Sequence, residues 1–312
     1  RIHKVNRARL TLWMRVWGRS PPAGSRGRAP GLALLLCLSA CASTGGPIGT
    51  ASGQWRDQLH RIPEKLPDGS TITLTTRICR PAGETPARAV IINHGTPTLD
   101  AARQAMQPES CSSEAAQWFL TRGYVVAFPL RRGHGDASPL AETSGACAAP
   151  NYVQAGLAGA ADIAAAVDYV TALPFVQPDR AVVVGQSTGG WATIAYGSLP
   201  HPKVSALISM AGGRGGQANG VPGQTCRADL LAYSAAYFAT TNRTPMLWIY
   251  AANDSNFSPD TARAMAQSYQ AAGGALQYEP LPAFDGDGHT LFLGQGGSAI
   301  WGPIVERYLS TT

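Results

Sequence analysis

Ala181-Val182-Val183-Val184-Gly185-Gln186-Ser187-Thr188-Gly189-Gly190-Trp191 decides the architecture of this chain. Its first half is a short, unbroken, β-branched apolar run, the pattern of a strand covered on both faces. Without a spacer, Thr188–Leu199 follows with helical composition. A strand that turns into a helix within two residues leaves no room for side chains beside the turn, so glycines are needed on either side of its apex. The Gly185-Gln186-Ser187-Thr188-Gly189 pattern supplies them and lifts the Ser187 hydroxyl above the strand end.

The same alternation continues in both directions. Strands are expected at Thr71–Ile78, Ala89–Asn93, Tyr124–Leu130, Val204–Ala211, Pro245–Ala251 and Leu276–Leu281. Helices are expected at Ser113–Thr121, Tyr152–Leu173, Arg227–Thr240, Pro259–Ala272 and Ser298–Leu309, the fourth capped by Ser258 with Pro259 in its first position. Apolar strands separated by helices of ten or more residues imply a mostly parallel sheet with helices on both faces, a three-layer α/β sandwich. Ligands of such sheets bind beyond the carboxyl ends of the strands, so chemistry is sought in the residues that follow each strand.

Those residues form an ordered set. A serine hydroxyl needs a base, and the base needs an orienting carboxylate. Asp254 follows Pro245–Ala251, and His289 follows the last strand in Asp285-Gly286-Asp287-Gly288-His289. Asp260 sits in a first helical turn, where the dipole alone favours an acid. Asp285 and Asp287 are expected to shape the loop of His289. His94 and His134 also follow strands, but only His289 comes after both Ser187 and Asp254. The two amide donors for a developing oxyanion are expected at Thr188, which opens the elbow helix, and at Thr96 in His94-Gly95-Thr96-Pro97.

From about residue 70 onward the chain resembles the dienelactone hydrolase-like and prolyl-oligopeptidase-like branch of the α/β-hydrolases. The resemblance rests on the Ser187, Asp254, His289 order, on His94-Gly95-Thr96-Pro97, and on Arg131-Arg132-Gly133-His134-Gly135, which is similar to that branch's RGxG loop. It implies a three-layer α/β-hydrolase sandwich with a small glycine-rich cap, and acyl-transfer chemistry at Ser187. Dienelactone hydrolases proper carry cysteine at that position, so the likeness extends to fold and not to their substrate. Exopeptidases of the branch hold a substrate amine with paired acids, and no adjacent Glu-Glu occurs here. Esters are therefore expected over peptides, with an inactive binding lipoprotein as the remaining alternative.

The cap is expected between Gly212 and Cys226, where Gly212-Gly213-Arg214-Gly215-Gly216 leaves the catalytic edge. Arg131, Arg214, His94, His134 and Trp191 are candidates for substrate contact, with bonding to loop carbonyls the alternative for the arginines and the core the first expectation for Trp191.

The formal net charge of +6 lies in the leader. Residues 1–40 hold eight basic side chains and no acid, and taking these eight from 25 leaves 17 basic against 19 acidic groups. The body has no basic excess for phosphates, which excludes nucleic acid as a partner. Residues 1–40 read as an export signal with the apolar run Leu32–Leu38, too short to span a membrane, and translation is expected to start at Met14 or upstream of Arg1. Leu38-Ser39-Ala40-Cys41 resembles a bacterial lipobox, which makes Cys41 a lipid anchor and the only expected link to a membrane; plain signal cleavage after Ala42 is the alternative. Residues 41–53 are expected to be a flexible tether and 54–312 one domain. Cys147–Cys226 is the expected disulfide, with Cys79–Cys111 second. Neither CxxC nor HExxH occurs, so no metal and no cofactor are expected, and the partner is a small ester or acyl substrate.

Overall fold

A computed structural model describes residues 45–136 and 141–312. Nine strands form one sheet: β1 (Gly46–Ser52), β2 (Asp57–Lys65), β3 (Thr71–Cys79), β4 (Ala89–Asn93), β5 (Val125–Pro129), β6 (Ala181–Gln186), β7 (Val204–Met210), β8 (Met246–Ala251) and β9 (Leu276–Leu281). Their order is β1-β2-β3-β5-β4-β6-β7-β8-β9. The pairings from β5 to β9 are parallel, and β1, β2 and β3 extend one edge antiparallel.

Helices α1 (Asp100–Gln104), α2 (Glu114–Leu120), α3 (Tyr152–Thr171), α4 (Thr188–Tyr196), α5 (Ala228–Ala239), α6 (Pro259–Ala271) and α7 (Ser298–Leu309) complete the described elements. The two-residue period of the strands sorts the core into two halves. Ile91, Val183, Leu207 and Trp248 meet α3 to α6, while Val90, Val182, Val184, Ile208 and Ile249 meet α2 and α7. Helix α3 approaches α4 closely because Gly156 and Gly159 face Ala195, Trp191 and Ala192, where a methyl group would already collide. Ser258 caps α6 by accepting from the Thr261 amide at 3.3 Å, with Pro259 behind it, as the sequence predicts.

Order begins earlier than composition suggests. The segment expected to be a tether contains β1, which pairs antiparallel with β2 from Gly46↔Arg61 to Ser52↔Asp57. Its Gly, Ser and Thr residues contribute backbone hydrogen bonds while their side chains stay largely exposed. The expected start of ordered structure at residue 54 is thus corrected to Gly46. Cys41 and the leader lie outside the described residues. Both disulfides are present: Cys79–Cys111 ties the end of β3 to the segment before α2, and Cys147–Cys226 ties the approach to α3 to the start of α5. No helix among the described residues is long and apolar enough to cross a membrane.

Candidate active site

Ser187 stands between β6 and α4 with φ 55° and ψ −120°. That backbone region costs a non-glycine residue about 1–3 kcal/mol and persists only when neighbours enforce it. Here the Ser187 amide donates to the Met210 carbonyl at 3.0 Å, and the Gly213 amide donates to the Ser187 carbonyl at 3.1 Å. The flanking glycines are a steric requirement, since a Cβ on Gly185 would overlap the Gly189 backbone and one on Gly189 the Asn93 carbonyl. Ser187 retains 9% of its surface.

Loops after β8 and β9 bring Asp254 and His289 together. The His289 Nδ1 lies 2.9 and 3.1 Å from the two Asp254 carboxylate oxygens. A carboxylate only accepts, so Nδ1 donates and the Nε2 lone pair is left for a proton. Asp254 Oδ1 also accepts from the Asn256 and Phe257 amides at 2.8 and 3.0 Å, which fixes the buried carboxylate. Asp287 staples the two loops: it accepts from the His289 amide at 2.9 Å and from the Ser255 amide and hydroxyl at 3.0 and 2.7 Å. Burial works against its charge, yet the Ser255 and His289 donors outweigh burial and hold its carboxyl below the usual range. Asn253 adds bonds to Phe284 and Asp285, and Gln186 Nε2 donates to the His289 carbonyl at 3.0 Å. Among the described residues no hydrogen bond joins Ser187 Oγ to His289 Nε2; such bonds commonly tighten only when substrate arrives.

On the opposite side, the loops after β4 and β5 converge on α4. Thr96 and Thr188 meet through their hydroxyls at 2.7 Å. Thr188 is the first residue of α4, so its amide has no intrahelical partner. No hydrogen bond among the described residues uses the Thr96 amide. A side chain on Gly95 would strike Gln186 and Ser187, which places this loop directly against the elbow.

Four of the five candidates for substrate contact are buried and the fifth, His94, has both ring nitrogens engaged; the arginines bond loop groups and Trp191 lies in the core, the structural alternative expected for each. Arg131 is fully buried, with Nε 2.6 Å from Glu142 Oε1, Nη1 donating to the His94 carbonyl at 2.6 Å and Nη2 to Thr188 Oγ1 at 3.2 Å. Arg214 also pairs with the Glu142 carboxylate and donates to its carbonyl at 2.6 Å. Burial alone would raise the Glu142 pKa, but the two guanidiniums outweigh it and hold the carboxyl below the usual range. His134 is enclosed; burial, then the nearby Arg131 charge, pushes its pKa down to about 4. Both ring nitrogens of His94 are engaged, Nδ1 with the Gly95 carbonyl at 2.7 Å and Nε2 with the Arg131 amide at 3.1 Å. Burial and the adjacent Arg131 hold it neutral, well below the usual histidine range. Trp191 is core, donating to the Tyr152 carbonyl at 2.9 Å.

Sequence reasoning missed the carboxylates that complete this side. Glu142 is the only acid between Asp136 and Asp162, and two arginines in glycine-rich loops call for one; that was the available signal. Asp162 and Glu64 likewise hold Arg132, at 2.7 and 2.6 Å. Burial and the neighbouring Asp162 push Glu64 up to about 9. The cap loop is bonded to the Asp254 loop, with the Gly223 amide on the Ser255 carbonyl at 2.7 Å and Gln217 Nε2 on Ser255 Oγ at 3.0 Å. Among the described residues no cluster of three potential metal ligands exists.

Comparison with known proteins bears on the fold. Residues 110–204 match the prolyl oligopeptidase family model. No curated protein matches the chain in sequence. An acetyl xylan esterase 1 from Thermoanaerobacterium superposes with a TM-score of 0.59 at 15% identity, over 85% of this chain and 86% of that one. A Pyrococcus furiosus esterase gives a TM-score of 0.53 at 14% identity, over 81% and 92%. The Porphyromonas gingivalis dipeptidyl peptidase 4 gives 0.59 at 16% identity, over 83% of this chain but 36% of that longer one. With the parallel sheet, the strained serine turn and the matched segment, the chain is an α/β-hydrolase in fold, similar to the dienelactone hydrolase-like and prolyl-oligopeptidase-like branch.

Proposed function

We propose that this protein is an exported serine hydrolase that cleaves short carboxylic esters with Ser187, His289 and Asp254. The observation that carries the reading is the His289–Asp254 pair at 2.9 Å, which leaves Nε2 as a base at the same strand ends as the strained Ser187. In this mechanism Ser187 Oγ attacks the ester carbonyl carbon while His289 Nε2 takes its proton. Negative charge then collects on the former carbonyl oxygen, where the Thr96 and Thr188 amides receive it. The tetrahedral adduct collapses, the C–O bond to the alcohol breaks, and His289 returns the proton to the departing alkoxide. Water, deprotonated by the same histidine, attacks the acyl-enzyme and releases the acid.

The cap supports short substrates. It is a small, internally bonded loop closed by the Cys226 disulfide and lacks the long amphipathic pattern of an interfacial lid. Two disulfides fit an oxidising compartment. Anchoring through Cys41 belongs to the same proposal, and Cys41→Ser should move the protein from the membrane to the soluble fraction; unchanged fractionation would favour plain secretion.

A peptidase using the same residues is the second reading, favoured by the prolyl oligopeptidase match over 110–204. The deciding experiment compares kcat/KM for p-nitrophenyl acetate and butyrate with that for aminoacyl p-nitroanilides. Faster ester turnover, abolished by Ser187→Ala, is expected; faster anilide turnover would move the protein to the peptidase reading.

A further inference from the structure

The side chains of Thr96 and Thr188 lie in a chain of hydrogen bonds whose direction can be worked out from its ends. His134 Nδ1 faces the Arg131 and Arg132 carbonyls at 3.2 and 3.0 Å, and carbonyls only accept, so Nδ1 carries the proton. The ring is neutral, so Nε2 is an acceptor and takes the Thr96 hydroxyl proton at 2.9 Å. Thr96 Oγ1, its own proton committed, accepts from the Thr188 hydroxyl at 2.7 Å. Thr188 Oγ1 in turn accepts from Arg131 Nη2 at 3.2 Å. The circuit closes through the Arg131 backbone, and Glu142 fixes the guanidinium that starts it. Each hydroxyl is therefore locked in one orientation.

This circuit joins the only two residues that the proposed mechanism uses as oxyanion donors, though they lie 92 positions apart. We infer that the Thr96–Thr188 hydroxyl bond, oriented by His134 and Arg131, is a positioning device that sets the spacing of the two amides for the oxyanion. The inference rests on the serine hydrolase reading. Neither hydroxyl touches substrate; both act through the backbone they hold. A charge on His134 would end its acceptance from Thr96, so burial next to Arg131 protects the circuit.

The test uses Thr96→Val and Thr188→Val, which replace a hydroxyl by a methyl of similar size, and the double variant. Each single change is expected to lower kcat for p-nitrophenyl acetate about tenfold with KM within about twofold, because the loss falls on the transition state. The double variant should be no worse than about twofold below the lower single one, since the bond between the two hydroxyls is already lost in either single variant. Affinity for a short alkyl boronic acid, which forms a tetrahedral adduct on serine, should fall in step with kcat. Thr96→Ser and Thr188→Ser should restore kcat. If a valine variant fails to fold, alanine at the same position carries the test. Unchanged kcat in both single variants, a double variant equal to the product of the singles, or a loss confined to KM would each overturn the inference. Turnover that survives Ser187→Ala would instead strike the hydrolase reading beneath it.

Discussion

Asp254 and His289 on one side of Ser187, and the Arg131–Glu142–Arg214 cluster on the other, are built from similar residue types by opposite means. The first side holds its charge with neutral donors: backbone amides satisfy Asp254, and amides with the Ser255 hydroxyl satisfy Asp287, while Asn253 ties the loop ends through carbonyls. It leaves one imidazole nitrogen uncommitted. The second side cancels buried charges against each other, and both of its histidines have every nitrogen engaged. Two histidines that follow strands thus have no uncommitted nitrogen, although they sit near the elbow. The lesson is that a histidine's role is read from what its second nitrogen lacks.

The largest test of this contrast is a pair of alanine substitutions. His289→Ala should lower kcat by ~10⁴ or more, the loss typical of a removed triad base. His134→Ala and His94→Ala should cost well under a hundredth of that, and an equal loss at His134 would reverse the assignment of the two sides.

Next in size is the ion cluster. Glu142→Gln leaves two buried guanidiniums without a counter-charge and should destabilise the fold by about 3–5 kcal/mol in a urea titration. Asp229→Asn, on an exposed pair with Arg227, should have no comparable effect. Equal small losses would show that the buried cluster is not what holds this side.

Opening the Cys147–Cys226 bridge by Cys→Ser at both positions should cost ~2–4 kcal/mol and loosen the cap. Unchanged unfolding midpoints, or free thiols at these positions in protein purified without reductant, would contradict the bridge.

The smallest effect is on pH dependence. His134 binds a proton more weakly folded than unfolded, because burial and Arg131 disfavour its charge, with a folded pKa of about 4. Below about 6.5 the unfolded chain takes up this proton and the folded one does not, so His134 lowers stability as pH falls from there towards 4. Replacing it with Gln should flatten that part of the stability curve. A carbon-bound proton resonance of His134 titrating near 6.5 would contradict its enclosure.

How much of this was legible differs between regions for physical reasons. β4 appears at its expected bounds because it is a fully buried, unbroken apolar run, and β9, half exposed and carrying Gln277 and Glu279, does so because Gly273-Gly274 and Pro282 bracket it. The order Ser187, Asp254, His289 was visible because each residue lies in the turn or loop that leaves a strand's carboxyl end. β2 was missed because its inward face carries His60 and Glu64 as well as Ile62, so its two-residue period is not one of hydrophobicity. Those polar groups are tolerated by partners far away, Tyr169 and Arg132, 109 and 68 positions on. Arg131 and Arg214 stay open between substrate and structure in the sequence for the same reason: Glu142 meets Arg214 across 72 positions, a juxtaposition that only the fold creates. β1 was missed because its stability lies in backbone pairing, which leaves no mark on composition.

As the activated nucleophile of the proposed mechanism, Ser187 should be the site of covalent labelling. The protein would be treated with a fluorophosphonate, digested, and the modified residue located by mass spectrometry. A single adduct is expected on Ser187, and none when His289 is replaced by alanine. An adduct elsewhere, or labelling of Ser187 at the same rate without His289, would contradict that role.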